Sequence, residues 1–226
     1  MTEATASGAT ASDPAPADDF ARVRRLPQRA SYDQASLHAV LDAALIAHVG
    51  FVADGRAVVI PMLFGRAGDR LYLHGSVASR LQRTLATGID LCLTATIVDG
   101  LVFARSAFHH SMNYRSAVVF GHATAVADDA KADALRAIAE HLTAGRWAES
   151  RPPNAVELRQ TSVLELTVEH ASVKARTGGP IDDAEDINRE VWAGVLPLAH
   201  SWGPPATEPD SAIVEPSPAV RTLAAG

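Results

Sequence analysis

Between residues 46 and 125 the chain repeats one device: an apolar, β-branched run, a tight turn, and another such run. "AHVGFVADGRAVVIPMLFG" is two runs joined by Asp54-Gly55, a dipeptide that accepts the positive φ angles of a two-residue hairpin. "GRAGDRLYLHG" adds a third strand after a Gly-rich turn, "IDLCLTATIVDGLVFARSAF" repeats the device with Asp99-Gly100 at its bend, and "SAVVFGHATAV" supplies another long strand. "SVLELTVEHASVKAR" reads as the last clear strand. Consecutive strands joined this tightly must pair antiparallel, since parallel pairing needs a long crossover. Helices are few. Asp33 is the expected N-cap of a helix through "QASLHAVLDAAL", whose Leu37, Val40, Leu41 and Leu45 form an apolar stripe. A second helix is expected from Asp128 or Asp129 through "AKADALRAIAEHLTAG", with Leu135, Ile138 and Leu142 on one face and Gly145 as its stop. The fold class this predicts is mainly β, a small barrel or sandwich with flanking helices rather than a doubly wound sheet.

The ends have a different composition. Residues 1–19 are Ala, Thr, Ser, Asp and Pro with almost nothing large to bury, and the stretch from Gly203 to Gly226 reads the same way. Both are expected to be disordered tails around one domain spanning 20–202. With 226 residues, 47% of them hydrophobic, the chain can fill one core. A net charge of −6 argues against a nucleic-acid partner, and no apolar run approaches membrane-spanning length. The start lacks the basic end and apolar stretch of a secretory signal, and the single Cys92 lies in an apolar run, so a cytoplasmic location is expected.

Two polar stretches interrupt the strands. In "LYLHGSVASRLQRTL", Ser76 stands where a helix N-cap belongs, Ser79 follows three residues later, and "VASRLQRTL" reads as a short helix. Hydroxyls, free backbone N–H groups and Arg80, with Arg83 nearby, would suit a phosphate; the same residues also suit an ordinary capped helix with solvated arginines. In "SAFHHSMNYRSAVVFGHA", His109, His110, Asn113, Tyr114 and Arg115 stand in a row that would line a pocket. Adjacent strand residues face opposite ways, so His109 and His110 do not suit one metal ion, and no other spacing resembles a zinc site.

The succession "GRAVVIPMLFG", "DRLYLHGSVASR", "LVFARSAFHHSMNYRSAVVFGHA", "AGRWAESRPP", "SVKARTGGP" and "VWAGVLPL" resembles the flavin-nucleotide-binding branch of the pyridoxamine 5′-phosphate oxidase family, which includes the 5-nitroimidazole resistance proteins. The resemblance covers residues 22–202 and implies an FMN-binding split barrel, a homodimer, and the flavin at the subunit interface. It implies that Val59, Ile60, Pro61 and Met62 lie along the isoalloxazine ring. Gly75, Ser76, Ser79 and Arg80 would hold the phosphate, although Leu81 stands where the family pattern has lysine. Ser116 would reach the ring, with Asn113, Tyr114 and Arg115 as neighbours. The Arg-x-His substrate motif of the vitamin-making oxidases is absent from "EVWAGVLPLAHSWGPP", which disfavours pyridoxamine phosphate oxidation. The function expected is an oxidoreductase that passes electrons from a small donor to a small acceptor, a nitroaromatic being one class, with His74 as the catalytic polar group beside the ring. His74 reads equally as a strand-end histidine satisfied by backbone. The competing expectation is a non-catalytic flavin- or haem-binding protein, and a deazaflavin is an alternative to FMN.

Overall fold

The computed structural model describes residues 19–225. Nearly all of the expected N-terminal tail, residues 1–18, lies outside the described residues.

Nine strands form one antiparallel sheet that closes on itself. They are β1 (Ala30–Ser31), β2 (Ile46–Ala53), β3 (Arg56–Ala67), β4 (Arg70–Ser76), β5 (Asp90–Phe103), β6 (Ser111–Ala125), β7 (Thr161–Thr167), β8 (His170–Arg176) and β9 (Gly194–Pro197). The ring runs β2-β3-β4-β7-β6-β5 and returns to β2. Closure removes the exposed edges that a six-stranded open sheet would present. Outside the ring, β8 pairs with the first half of β6 and carries β1, while β9 lies on the end of β5. The result is a split barrel.

The core follows from side-chain alternation. On β2, Ala47, Val49 and Phe51 point inward and are buried, as are Leu71 and Leu73 on β4, Leu91 and Leu93 on β5, Ala117 and Val119 on β6, and Leu164 and Leu166 on β7. Helix α1 (Gln34–Ala43) packs Leu37, Val40 and Leu41 against this core. Asp33 caps it as expected, its carboxylate accepting from the Ser36 N–H at 2.7 Å. That bond and those from the Ser31 and Ser36 hydroxyls pull the Asp33 pKa down to about 2, the Ser31 bond contributing most. Leu45 departs from the expected stripe: the helix stops at Ala43, and Leu45 is exposed ahead of β2.

Helix α3 (Lys131–Leu142) covers the other face of β3 and β4, where Ala134 and Ile138 join Tyr72 and Val163 in a second cluster. Its approach depends on Gly65, since a Cβ there would stand 2.5 Å from the Ile138 Cα. Its N-cap is Ala130 rather than the expected aspartates; Asp128 pairs instead with Lys131 at 2.8 Å. Helix α4 (Ala155–Gln160) begins with a capping box of Asn154 and Glu157.

Two turns differ from the sequence expectation. Asp54 and Gly55 do make a tight hairpin, with φ of 52° and 70° and Ala53 facing Arg56. Asp99-Gly100 does not bend the chain: β5 runs through it with one bulge opposite β6. The reason lies at Gly100, where a Cβ would meet the Leu196 carbonyl at 2.7 Å, so the glycine admits β9 rather than a turn. Conversely, "SVLELTVEHASVKAR" is two strands, β7 and β8. The stretch beyond Gly203, expected to have nothing to dock, ends in α5 (Pro218–Ala224), whose Ala219 is buried against Gly145 and donates its N–H to Glu149 at 2.9 Å. Alanine and valine suffice for that small contact.

Candidate functional site

The hairpin β3–β4 comes apart before its strands end. Its ladder runs from Ala67 and Arg70 only to Phe64 and Leu73. Beyond it β3 keeps β2 on one side, while β4 continues with β7 through Ser76. The main chain of Val59, Ile60, Pro61 and Met62 therefore has one edge without a strand partner, and His74, Gly75 and Ser76 form the opposite lip of the gap. The residues expected to hold the ring and the start of the phosphate turn thus flank one split in the barrel wall. Ile60 and Met62 lean on the core, whereas Val59 and Pro61 face outward, Val59 being 64% exposed.

At the end of β4 the turn leads into α2 (Arg80–Leu85), whose N-cap is Ser79 and not Ser76. The Ser76 hydroxyl instead accepts from the Ala78 N–H at 3.2 Å, and the Ser79 side chain makes no capping bond. Arg80 and Arg83 are exposed and make no ion pair among the described residues. Gln82 is 1% exposed, neither atom of its amide has a partner, and it lies on Gly75, where a Cβ would meet Nε2 at 2.9 Å. His74 shares the face of Tyr72 rather than that of Leu71 and Leu73, so its ring lies toward the cluster under α3. Its Nδ1 is buried without a partner, and burial lowers its pKa, which keeps the imidazole neutral at pH 7.

A second space is bounded by residues of β2, β3, β5 and β6 and by residues 198–202. This cavity of about 820 Å³ is walled by Ile46, Ile97, Leu198 and Trp202 and receives His48, Pro61, Arg115 and His200. It is within the size range of cofactor pockets. His48 stands opposite Pro61 in the β2–β3 register. Arg115 is fixed by Asp99, with Nε to Oδ2 at 3.0 Å and Nη2 to Oδ1 at 2.7 Å, and this pairing lowers the Asp99 pKa. The Asp99 carbonyl accepts from Leu198 N–H at 3.0 Å, which ties the covering segment to the same point. His48 and His200 have no hydrogen-bond partner among the described residues.

The structure therefore joins Pro61 and Arg115 in one cavity and assigns other tasks to their neighbours. The Ser116 hydroxyl donates to the Lys174 carbonyl at 3.2 Å. Asn113 donates to the Gly178 carbonyl at 3.1 Å and accepts from Arg176, holding the "RTGGP" turn. His110 Nδ1 accepts from the Ala104 N–H at 3.2 Å, and His109 faces Asp183 at 3.0 Å. His48 and His200 were not singled out from the sequence. For His48 a signal exists, since the inward set Ala47, Val49 and Phe51 leaves it outward opposite Pro61; His200 sits in a stretch without periodicity. Among the described residues no group of three or more His, Cys, Asp or Glu side chains is arranged to hold a metal ion.

A closed six-stranded ring with β8 and β9 split away from it, a gap in its wall and a cofactor-sized cavity beside that gap define the class of the split β-barrel proteins. The pyridoxamine 5′-phosphate oxidase profile matches residues 33–175, and the chain belongs to that family. It is similar to the FAD and heme binding protein from Mycobacterium smegmatis, with 40% identity, a TM-score of 0.84, and coverage of 87% of this chain and 97% of that one. The flavocytochrome Anf3 from Azotobacter vinelandii is 41% identical, with a TM-score of 0.85 over 91% of this chain and 96% of its own. A 5-nitroimidazole antibiotic resistance protein from Bacteroides thetaiotaomicron shares the fold at 23% identity and a TM-score of 0.53, over 62% of this chain and 84% of its own. Among the curated proteins, none matches this chain.

Proposed function

We propose that this protein is a flavin-binding redox protein that holds its isoalloxazine along the unpaired edge of β3. The observation that carries the reading is the end of the β3–β4 ladder at Phe64 and Leu73. It leaves backbone donors and acceptors at Val59 to Met62 beside a gap, the complement of a heterocycle whose edge alternates carbonyl and N–H. Gly75, Ser76, Ser79 and Arg80 stand at the other lip, where Arg80 is available to a phosphate. The flavin supplies hydride and single-electron chemistry; the chain supplies position, water exclusion and charge. The relative of 40% identity that is named as an FAD and heme binding protein favours FAD over FMN.

Oxidoreductase activity toward a small acceptor, in the cytoplasm, completes the reading. Homodimerisation would cover Val59, Leu63, Leu101 and Met112, outward apolar side chains that are 40% or more exposed in the single chain. The absorption spectrum of the purified full-length protein tests the cofactor. Flavin bands, with FAD released on denaturation, are expected; a colourless protein that takes up no flavin overturns it.

A second reading is favoured by the cavity under residues 198–202: haem as a further cofactor. Two unpartnered imidazoles suit an iron ligand, apolar walls suit a porphyrin, and Arg115 suits a propionate. Both close relatives are named for haem or as a flavocytochrome. A Soret band that disappears in His48→Ala or His200→Ala is expected, and no Soret band after haem titration refutes it.

A further inference from the structure

Strand β8 ends in Lys174, Ala175 and Arg176, and Arg176 is a cation in an unusual setting. Its side chain is 5% exposed, yet its partners are all neutral. Nη1 donates to the Asn113 amide oxygen and to the Gly178 carbonyl at 3.0 Å, and Nη2 to the Gly179 carbonyl at 2.8 Å. No carboxylate among the described residues pairs with it, although buried charges in proteins are ordinarily answered by an opposite one. Burial, and after it the nearby charge of Arg29, lowers its pKa; Tyr114, its register partner on β6, acts the other way.

Two more cations share the place. Lys174 lies on the same face as Arg176, two residues earlier, and Ala30 of β1 stands opposite Lys174, which brings the preceding Arg29 alongside. Lys174 Nζ donates only to the Arg25 carbonyl, at 2.8 Å, and neither Lys174 nor Arg29 makes an ion pair among the described residues. Along an extended strand Lys174 and Arg176 are separated by about 6.6 Å. The outer oxygens of a diphosphate span such a gap; a single carboxylate does not. Tyr114 on the same face offers a ring beside it.

We propose that Arg29, Lys174 and Arg176 form a binding site for the diphosphate of a nucleotide. The site goes beyond the flavin reading and does not require it, because two sources carry the same group: the flavin dinucleotide itself, or a separate nucleotide such as a nicotinamide dinucleotide donor. Arg176 is the preformed part, oriented by three carbonyl-type acceptors before any anion arrives, and Arg29 and Lys174 close on the ligand from the turn before β1 and from β8.

The test is calorimetric titration of the full-length protein with ADP and with pyrophosphate, with and without saturating FAD. Saturable binding that weakens with salt is expected, and Arg29→Ala and Lys174→Ala should each weaken it about tenfold without moving the melting temperature. If FAD abolishes ADP binding and the two variants weaken both ligands, the cofactor's own diphosphate is the occupant, in place of the turn at Arg80; if ADP binds beside FAD, a separate nucleotide is. No saturable binding in either state, or unchanged affinity in both variants, overturns the site. Riboflavin titration of the same samples keeps the readings apart: riboflavin uptake without ADP binding sinks this site and leaves the flavin reading standing.

Discussion

Two cavities of this molecule have similar residue types and opposite bookkeeping. The first, about 600 Å³ between α1, β3, β4 and α3, contains Asp42, Arg66, Asp133, Arg136, Glu140 and His141. Every one of them is answered within the chain. Arg66 donates to Asp42 and to the Gly68 carbonyl, Arg136 pairs with Asp133, Glu140 accepts the N–H groups of Gly145 and Trp147, and His141 Nε2 meets the Ala44 carbonyl at 2.8 Å. In the second, under residues 198–202, Arg115 is answered by Asp99, while His48 and His200 have no hydrogen-bond partner among the described residues. Volume does not distinguish a binding site from a joint between elements; unsatisfied donors and acceptors do. The first cavity holds α3 and α1 to the barrel, and the second has polar groups left for something else.

The comparison breaks most visibly at its glycines. Gly65→Ala forces a Cβ to 2.6 Å from the Ile138 amide nitrogen, so α3 must lift from the wall of the first cavity. A loss of roughly 3 kcal/mol or more is expected in urea denaturation. An unchanged midpoint would mean that α3 is not seated on Gly65. Gly100→Ala acts on the second cavity by pushing β9 away from the Leu196 contact. It should cost about 1–2 kcal/mol and speed hydrogen exchange in residues 194–202 while α3 stays protected. Equal protection of both regions would contradict the separation.

Smaller changes sharpen it. Arg66→Ala should cost about 1 kcal/mol, because its partner Asp42 is half exposed and the pair is partly screened. His48→Ala and His200→Ala should change stability by less than about 0.5 kcal/mol, whatever they do to a bound cofactor. Larger losses in apo protein would give the histidines a structural role.

The smallest effects are in pH. Burial lowers the His74 pKa, so the unfolded chain binds more protons than the folded one below the ordinary value of 6.5. Stability should fall as pH drops through about 6.5, and His74→Phe should flatten that slope. His122 has the opposite sign: Glu169 at 3.2 Å, then Asp90 at 2.8 Å, raise its pKa. Its contribution, present below 6.5, is lost as pH rises through the raised value, and His122→Gln should remove it. Melting curves across pH separate the two.

How much of this was legible depended on whether a signal was local. Asp54-Gly55 needs only its own dihedral angles to turn, and Asp33 only the next three residues to cap, so both were readable. Asp99-Gly100 carries the same letters, but its conformation is decided by Leu196, almost a hundred positions away, and the turn reading failed. The β7–β8 turn was hidden because Val168 and Glu169 carry no turn residue. At the site, the family resemblance pointed to Pro61 and Arg115, while the cavity they share exists only because residues 198–202 fold back over β5. Gln82 and Arg176 were invisible as anomalies, since neither an amide buried without a partner nor a buried cation with only neutral partners is a property of a letter.

One feature of the ring bears on how the chain emerges from the ribosome. Strand β6 takes β5, β7 and β8 as neighbours, and β4 waits for β7, with Arg70 meeting Glu165 across 95 residues. Until about residue 176 has been synthesised, β4 and β6 must remain open ribbons, with Leu71, Leu73 and Val119 facing water. Such long-range closure is slow. The nascent chain is therefore most vulnerable to misassociation in its middle, and a chaperone that shields the open edge of β4 until β7 arrives would raise the yield of soluble protein.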